Sequence, residues 1–348
     1  MRAVSCDNSA SSLPYRSVPL SQEFPINVAV IGVGAFGRNH ARVYRQLQDA
    51  GSVRLVGVVD PDTSRADAVA REFDCKSFGS VEQMLTTHSE VQAASVAVPT
   101  VLHLEVARSL MEAGVDVLIE KPLAATLAEA DELLRVASTH KRVAQVGHLE
   151  RFNPAVRATL PLINRPMFFE VHRLSVFSPR ALDVDVVLDL MIHDLDIVLA
   201  LARGELKEIR AAGISVLSPK VDIANVRLEF SDGCVANLTA SRVSTDKVRK
   251  LRLFQPRQYI SVDYAKQAAA VFSVGGPEGI AFEQLPIESA EPLKLQFDAF
   301  LDSVETRRAP KLDGSRARHT LEIALAVLAK IEEHASVVAQ TLASGWKP

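Results

Sequence analysis

Val28-Ala-Val-Ile-Gly-Val-Gly-Ala-Phe-Gly37 is the stretch on which the fold turns. An apolar run suited to a buried strand ends at Gly32, a turn carries Gly34, and Gly37 opens what reads as a helix. This is G-x-G-x-x-G in a strand–turn–helix setting. Gly32 permits the tight turn, Gly34 lets the backbone approach a pyrophosphate, and Gly37 lets helix and strand pack closely. Phosphates would rest on the free N–H groups of Ala35, Phe36 and Gly37, at the positive end of the helix dipole. The pattern predicts a site for a nicotinamide or flavin dinucleotide.

The next apolar run, Val53–Val59, ends in Asp60. An acid roughly 20 positions beyond the glycines accepts hydrogen bonds from the adenosine ribose. The alternative is that Asp60 and Pro61 only turn the chain. A carboxylate at this position repels a 2′-phosphate, which favours NAD over NADP. Arg65 could stack on adenine or soften that preference.

The chain has 348 residues, 48% of them hydrophobic, and a formal charge of −3. That length allows two domains with substantial cores. No basic excess points to nucleic acid, and no run of about 20 apolar residues offers a membrane span. Cys6, Cys75 and Cys234 are too scattered for a disulfide framework or a metal cluster, which fits a reducing cytoplasm. Residues 1–24, rich in Ser with Pro14 and Pro19, read as a flexible tail or an arm on a neighbouring subunit.

Strand and helix patterns then alternate. Helices are expected over Asn39–Gln48, Ser64–Phe73, Ser80–Thr86, Leu102–Ala113 and Leu127–Thr139, the last capped by Thr126. Apolar runs at Ala93–Val98, Val115–Ile119 and Arg142–Val146 read as strands. Single helices between strands predict an α/β Rossmann domain, a doubly wound parallel sheet, over 25–147. Beyond Gly147 the pattern changes. One helix is expected over Val187–Ala202, and strands over Met167–Val176, Glu208–Val216, Ala224–Phe230, Val235–Ser241, Lys250–Phe254 and Gln258–Asp263. Helices over Pro292–Glu305 and Arg318–Ser344 close the chain. Strands in succession predict an α+β domain over 148–348 with a large, mostly antiparallel open sheet. One face of that sheet would lie on helices. The other calls for cover, which a second subunit would supply.

Two groups of residues carry chemistry. Glu120-Lys121-Pro122 follows the Val115–Ile119 strand, where ligands bind in an open α/β sheet. Pro122 restricts Lys121 to extended conformations. The plainer alternative is a surface ion pair. Asp189 and His193 lie four apart on a largely apolar helix, so they are expected on one face, with the carboxylate orienting the imidazole and raising its basicity. Imidazole suits a general base that takes a hydroxyl proton. Here the alternative is an acidic helix start with a satisfied core histidine.

In this order the glycine pattern, acid, Glu-Lys-Pro and Asp-x-x-x-His resemble the glucose–fructose oxidoreductase/inositol dehydrogenase/MocA family of NAD(P)-dependent sugar oxidoreductases. The resemblance runs from about Ile26 to the last helix and includes Pro292–Leu301 and Pro310. It implies that Lys121 is the catalytic lysine, His193 the acid/base and Asp189 its partner. Val98-Pro99-Thr100-x-x-His103 looks like the family's loop beside the nicotinamide, with Pro99, Thr100, His103, Glu120 and Lys121 near the cofactor. As a simple strand-to-helix turn, the same segment would leave His103 on a helix surface.

Gly147-His-Leu-Glu-Arg-Phe-Asn-Pro154 resembles the branch that oxidises nucleotide sugars, UDP-N-acetylglucosamine 3-dehydrogenases above all. Those supply a 3-keto sugar to an aminotransferase, toward lipid A or surface polysaccharide. His148, Arg151 and Asn153 would then bind the sugar or its diphosphate, with Arg173 and Arg180 as weaker candidates. Otherwise Glu150 and Arg151 form an ion pair and Asn153-Pro154 a turn. The resemblance implies NAD-linked oxidation of a secondary hydroxyl of a nucleotide sugar; lysine and histidine would supply polarisation and base without a metal, and the uncovered sheet face points to a homodimer or homotetramer. A dehydrogenase or reductase for inositol or another free polyol, and a cofactor-bound sensor without turnover, are the alternatives.

Overall fold

The computed structural model describes residues 25–177, 184–275, 279–310 and 312–343. The tail at 1–24 and Arg180 lie outside them.

The first sheet consists of β1 (Ile26–Ile31), β2 (Val53–Val59), β3 (Lys76–Phe78), β4 (Ala93–Val96), β5 (Asp116–Ile119) and β6 (Ala144–Val146). Their order is β3-β2-β1-β4-β5-β6, and all pairs are parallel. Helices α1 (Ala35–Asp49), α2 (Thr63–Phe73), α3 (Val81–Thr87), α4 (His103–Glu112) and α5 (Leu127–Thr139) connect them. Strands covered on both faces read as unbroken apolar runs, and Val28, Ala29 and Val30 are fully buried. The strand order reverses between β1 and β4, and the crevice beyond their carboxyl ends is the ligand position in such sheets. Helix α5 starts where expected, with Thr126 and Glu129 forming a reciprocal capping box. Helix α1 starts at Ala35 rather than Asn39, because extended Gly34 is its N-cap and draws the first turn into the glycine stretch.

The second part opens with α6 (Pro154–Thr159) and β7 (Phe168–Val176), then a π-helical turn over Val187–Met191 that feeds α7 (Ile192–Leu201). A single α-helix was expected across this span. After it come β8 (Leu206–Ile214), β9 (Ile223–Phe230), β10 (Val235–Ser244), β11 (Val248–Gln255), β12 (Gln258–Asp263), β13 (Ala268–Val274) and β14 (Ile280–Gln284). The order is β14-β13-β12-β11-β7-β10-β9-β8, antiparallel except for the β7–β10 pair. The sequence pattern did not reveal β13 or β14. Alanines blur the alternation in β13, and β14 is an exposed strand with no buried face to mark it.

The last helices tie the two sheets together. α8 (Pro292–Thr306) seats Phe297, Phe300 and Leu301 in the core of the first sheet, with the Phe297 and Tyr44 rings 4.5 Å apart. α9 (Gly314–Ala343) places Ala317 and Leu321 against the other face of that sheet, and Val327 and Ile331 against the second sheet. The outer face of the second sheet carries register-paired Phe168, Phe254, Tyr259, Phe272 and Phe282 across five strands. Their rings contact in turn at 6.0, 4.8, 5.3 and 4.9 Å.

Candidate active site

The glycine turn is shaped for a close ligand. Gly32 has φ +83°, and a Cβ on it would stand 2.7 Å from the Ala97 carbonyl. A Cβ on Gly37 would stand 1.8 Å from the Gly32 carbonyl, so neither position admits a side chain. A Cβ on Gly34 would meet nothing within 4 Å, which leaves its backbone open to an incoming group. Helix α1 has neither a side-chain cap nor an acid in its first turn, so the N–H groups of Ala35, Phe36 and Gly37 lack intrahelical acceptors. Asp60 sits at the end of β2, 4% exposed. Its oxygens accept hydrogen bonds from the Val33 N–H at 3.0 Å and the Asp62 N–H at 2.9 Å. Asp60 therefore holds the turn in place, while Oδ1, which accepts only from Asp62 among the described residues, keeps a second lone pair for a ribose hydroxyl. Arg65 is bound to Asp62 at 3.0 Å and Asp60 at 3.4 Å through its N–H edge, which leaves the face of its half-exposed guanidinium open. These residues fit a dinucleotide.

Beyond β4, Pro99 is exposed and caps a short 3-10 turn, Thr100–Leu102. His103 follows, buried rather than on a helix surface. It is 1% exposed, with Nδ1 3.0 Å from the Pro122 carbonyl and Nε2 3.1 Å from the Val98 carbonyl. Burial depresses its pKa, and it ties the β4 loop to the loop that carries Lys121. Glu120 lies 3.1 Å from the Nε2 of fully buried His40 on α1. Burial works to raise the Glu120 carboxyl, but His40 and Lys121 hold it below its ordinary value. A Cβ on Gly147 would come within 2.8 Å of that carboxylate, so the glycine leaves it room.

Lys121, joined to Pro122 by a cis peptide bond, reaches across to the second part of the chain. Its ammonium donates to the Asp189 carbonyl at 2.6 Å and lies 3.4 Å from the Asp189 carboxylate. This corrects the expected Asp189–His193 pairing. The π-helical turn breaks the 3.6-residue spacing on which a shared face depends, and Asp189 serves the lysine instead. His193 lies in the first turn of α7, part-buried, with Nδ1 buried and without a hydrogen-bond partner among the described residues. Its basicity is not raised. Burial, then the charges of Lys121 and Arg173, hold its pKa well below the ordinary imidazole value. Beside it, His148 is 1% exposed, with neither ring nitrogen paired among the described residues, and burial lowers its pKa too.

The other expected substrate ligands are committed elsewhere. Arg151 is spent on buried Asp196, donating to its carboxylate at 2.5 and 3.1 Å and to its carbonyl at 3.0 Å. Asn153, 3% exposed, caps α6 through the Ala155 N–H and donates to Glu150 and the Tyr264 carbonyl. Arg173, also 3% exposed, holds Asp194 at 2.6 and 2.8 Å and Glu150 at 3.0 Å. Buried ions in so apolar a setting must be paired, and these pairs fasten α7 to its neighbours. The demand for partners that singled out Asp189 and His193 applied equally to Asp194 and Asp196. For His40, no signal stood in the sequence.

A family profile described as an oxidoreductase family with an NAD-binding Rossmann fold matches residues 26–148. The family's C-terminal domain profile, GFO/IDH/MocA, matches residues 167–260. The chain belongs to the Gfo/Idh/MocA oxidoreductase family. It is an NAD-binding oxidoreductase. It is 36% identical over 313 residues to UDP-N-acetylglucosamine 3-dehydrogenase from Acidithiobacillus ferrooxidans, covering 88% of this chain and 97% of that protein. The solved structure of that dehydrogenase superposes with a TM-score of 0.83, covering 89% of this chain and 99% of the other. scyllo-Inositol 2-dehydrogenase (NAD(+)) from Bacillus subtilis is 27% identical over 64% of this chain and 69% of its own length. Levoglucosan dehydrogenase, in complex with NADH and levoglucosan, shares the fold at 17% identity and a TM-score of 0.80, covering 89% and 98% of the two chains. No helix among the described residues is long and apolar enough to cross a membrane.

Proposed function

We propose that this Gfo/Idh/MocA oxidoreductase is an NAD-dependent dehydrogenase of a nucleotide sugar, with C3 of a UDP-N-acetylhexosamine as the position oxidised. One observation supports this chemistry: the Lys121 ammonium, bonded to Asp189, is the foremost of the charges acting on the His193 imidazole, which brings a cation from the loop after β5 near a base on α7. NAD, when bound on the glycine turn, supplies the hydride acceptor. His193, neutral at pH 7 because its pKa is depressed, takes the proton of the reacting hydroxyl. Lys121 holds positive charge against the oxygen as charge builds there. The Asp189 carbonyl and carboxylate fix where that ammonium points. His148, buried near His193, adds a second imidazole to this group. Similarity over nearly the full length to a UDP-N-acetylglucosamine 3-dehydrogenase supports the substrate class. A 3-keto product suits transamination, so an aminotransferase is the proposed next enzyme, toward an amino sugar of lipid A or surface polysaccharide.

The second reading, oxidation of a free cyclic polyol, is favoured by the relative that is a scyllo-inositol dehydrogenase. NADH formation followed at 340 nm separates the two. The nucleotide-sugar reading expects turnover with UDP-N-acetylglucosamine and little with scyllo-inositol. The opposite order would overturn it.

A further inference from the structure

On the inner face of the second sheet, Arg173 of β7 and Arg249 of β11 are register partners. Strand alternation puts Arg249 on the side of buried Leu251 and Leu253, facing α7. The two arginines differ in one respect. Arg173 is fully engaged by Asp194 and Glu150. Arg249 is part-buried, and its guanidinium has no hydrogen-bond or ion-pair partner among the described residues. Asp194 and Glu150 together carry one more negative charge than Arg173 balances, so they attract Arg249 without satisfying its donors.

Five N–H donors in a half-desolvated position are costly unless an acceptor arrives. The position is also close to the chemistry. The Arg249 charge is among those that keep His193 unprotonated, and Asp189 in turn acts on Arg249. A sugar whose reacting carbon lies at His193 and Lys121 therefore has an unpaired cation nearby but outside the reacting group.

We propose that Arg249 binds the diphosphate of the sugar nucleotide and so decides between nucleotide sugars and uncharged polyols. A guanidinium fork matches two phosphate oxygens at once. Arg151, to which the sequence pointed for this work, is closed off by Asp196, whereas Arg249 is open. The inference rests on the nucleotide-sugar reading above.

The test uses the full-length protein with Arg249→Gln, Arg249→Met and Arg249→Lys. Uridine diphosphate binding is measured by calorimetry with and without NAD, and KM and kcat are measured with UDP-N-acetylglucosamine and scyllo-inositol. Gln and Met should weaken uridine diphosphate binding and raise KM for the UDP-sugar by about 10- to 100-fold, in the range of a lost charged hydrogen bond. The kcat should fall less, and Lys should restore part of the affinity as a point charge. Unchanged uridine diphosphate affinity in all three variants, with a lowered unfolding midpoint, would make Arg249 only a counter-charge to Glu150 and Asp194 and overturn the proposal. If wild-type protein does not bind uridine diphosphate and turns over only scyllo-inositol, the nucleotide-sugar reading itself falls.

Discussion

Lys121 is aimed by Asp189, and His193 is kept neutral by its burial and by the cations around it. Each half of this arrangement predicts a separate result. Lys121→Met and His193→Ala should each lower kcat by about 10²- to 10⁴-fold, the range for positioned acid–base groups. NAD affinity, measured by titration, should stay near the wild-type value, because the glycine turn and Asp60 hold the cofactor independently; loss of NAD binding in both variants would make these residues structural. The depressed imidazole also fixes the sign of the pH dependence. The base form is present throughout the neutral range, so the acid limb of kcat/KM for oxidation should lie below the ordinary imidazole pKa of about 6.5. Removing the Lys121 charge should move whatever limb remains upward, and a wild-type limb at or above pH 7 would contradict the assignment. The residue types for this chemistry were legible in Glu-Lys-Pro and Asp-x-x-x-His, but their pairings were not. A hydrogen bond between residues 68 positions apart has no local pattern to betray it.

At the scale of the element, helix α7 shows why. Its π-helical entry shifts Asp189 away from the face that regular spacing predicts, and Asp194 and Asp196 on the same helix are fastened to Arg173 and Arg151. These buried ion pairs set the position of His193 as the helix packs. Arg173→Met would leave Asp194 and Glu150 buried without their cation, and should cost about 3–5 kcal/mol in urea unfolding. The double variant with Asp194→Leu should recover part of that loss, since one uncompensated charge goes with it. A loss below about 1 kcal/mol, the scale of an exposed pair, would show that the cluster is wetter than its burial implies. Elements whose boundaries were set by local chemistry, such as α5 with its capping box, came out where the sequence placed them. Strands without a clean alternation, β13 and β14, did not.

For the whole molecule, the aromatic row on the outer sheet face has nothing packed over it among the described residues. Phe254, Phe272 and Phe282 are exposed, and a continuous apolar strip of this kind marks an interaction surface. A second copy of the chain on this face is the proposed cover, an isologous contact in keeping with how such oligomers close. Light scattering should give a dimer or tetramer for the wild type and a smaller species for Phe254→Glu with Phe272→Glu, with far-ultraviolet circular dichroism unchanged; a monomeric wild type would remove the proposal. The sequence by itself determined the parallel nucleotide-binding sheet, its glycine turn and the residue types of the candidate site. Strand periodicity, glycine sterics and helix capping act over a few residues and leave their mark locally. Only the tertiary structure decided that Asp189 bonds Lys121, that Arg151, Asn153 and Arg173 are bonded to buried acids and backbone carbonyls, and that Arg249 has no such partner among the described residues. Desolvation makes each buried charge take whichever opposite charge packing brings within reach, and that choice is made across the fold, not along the chain.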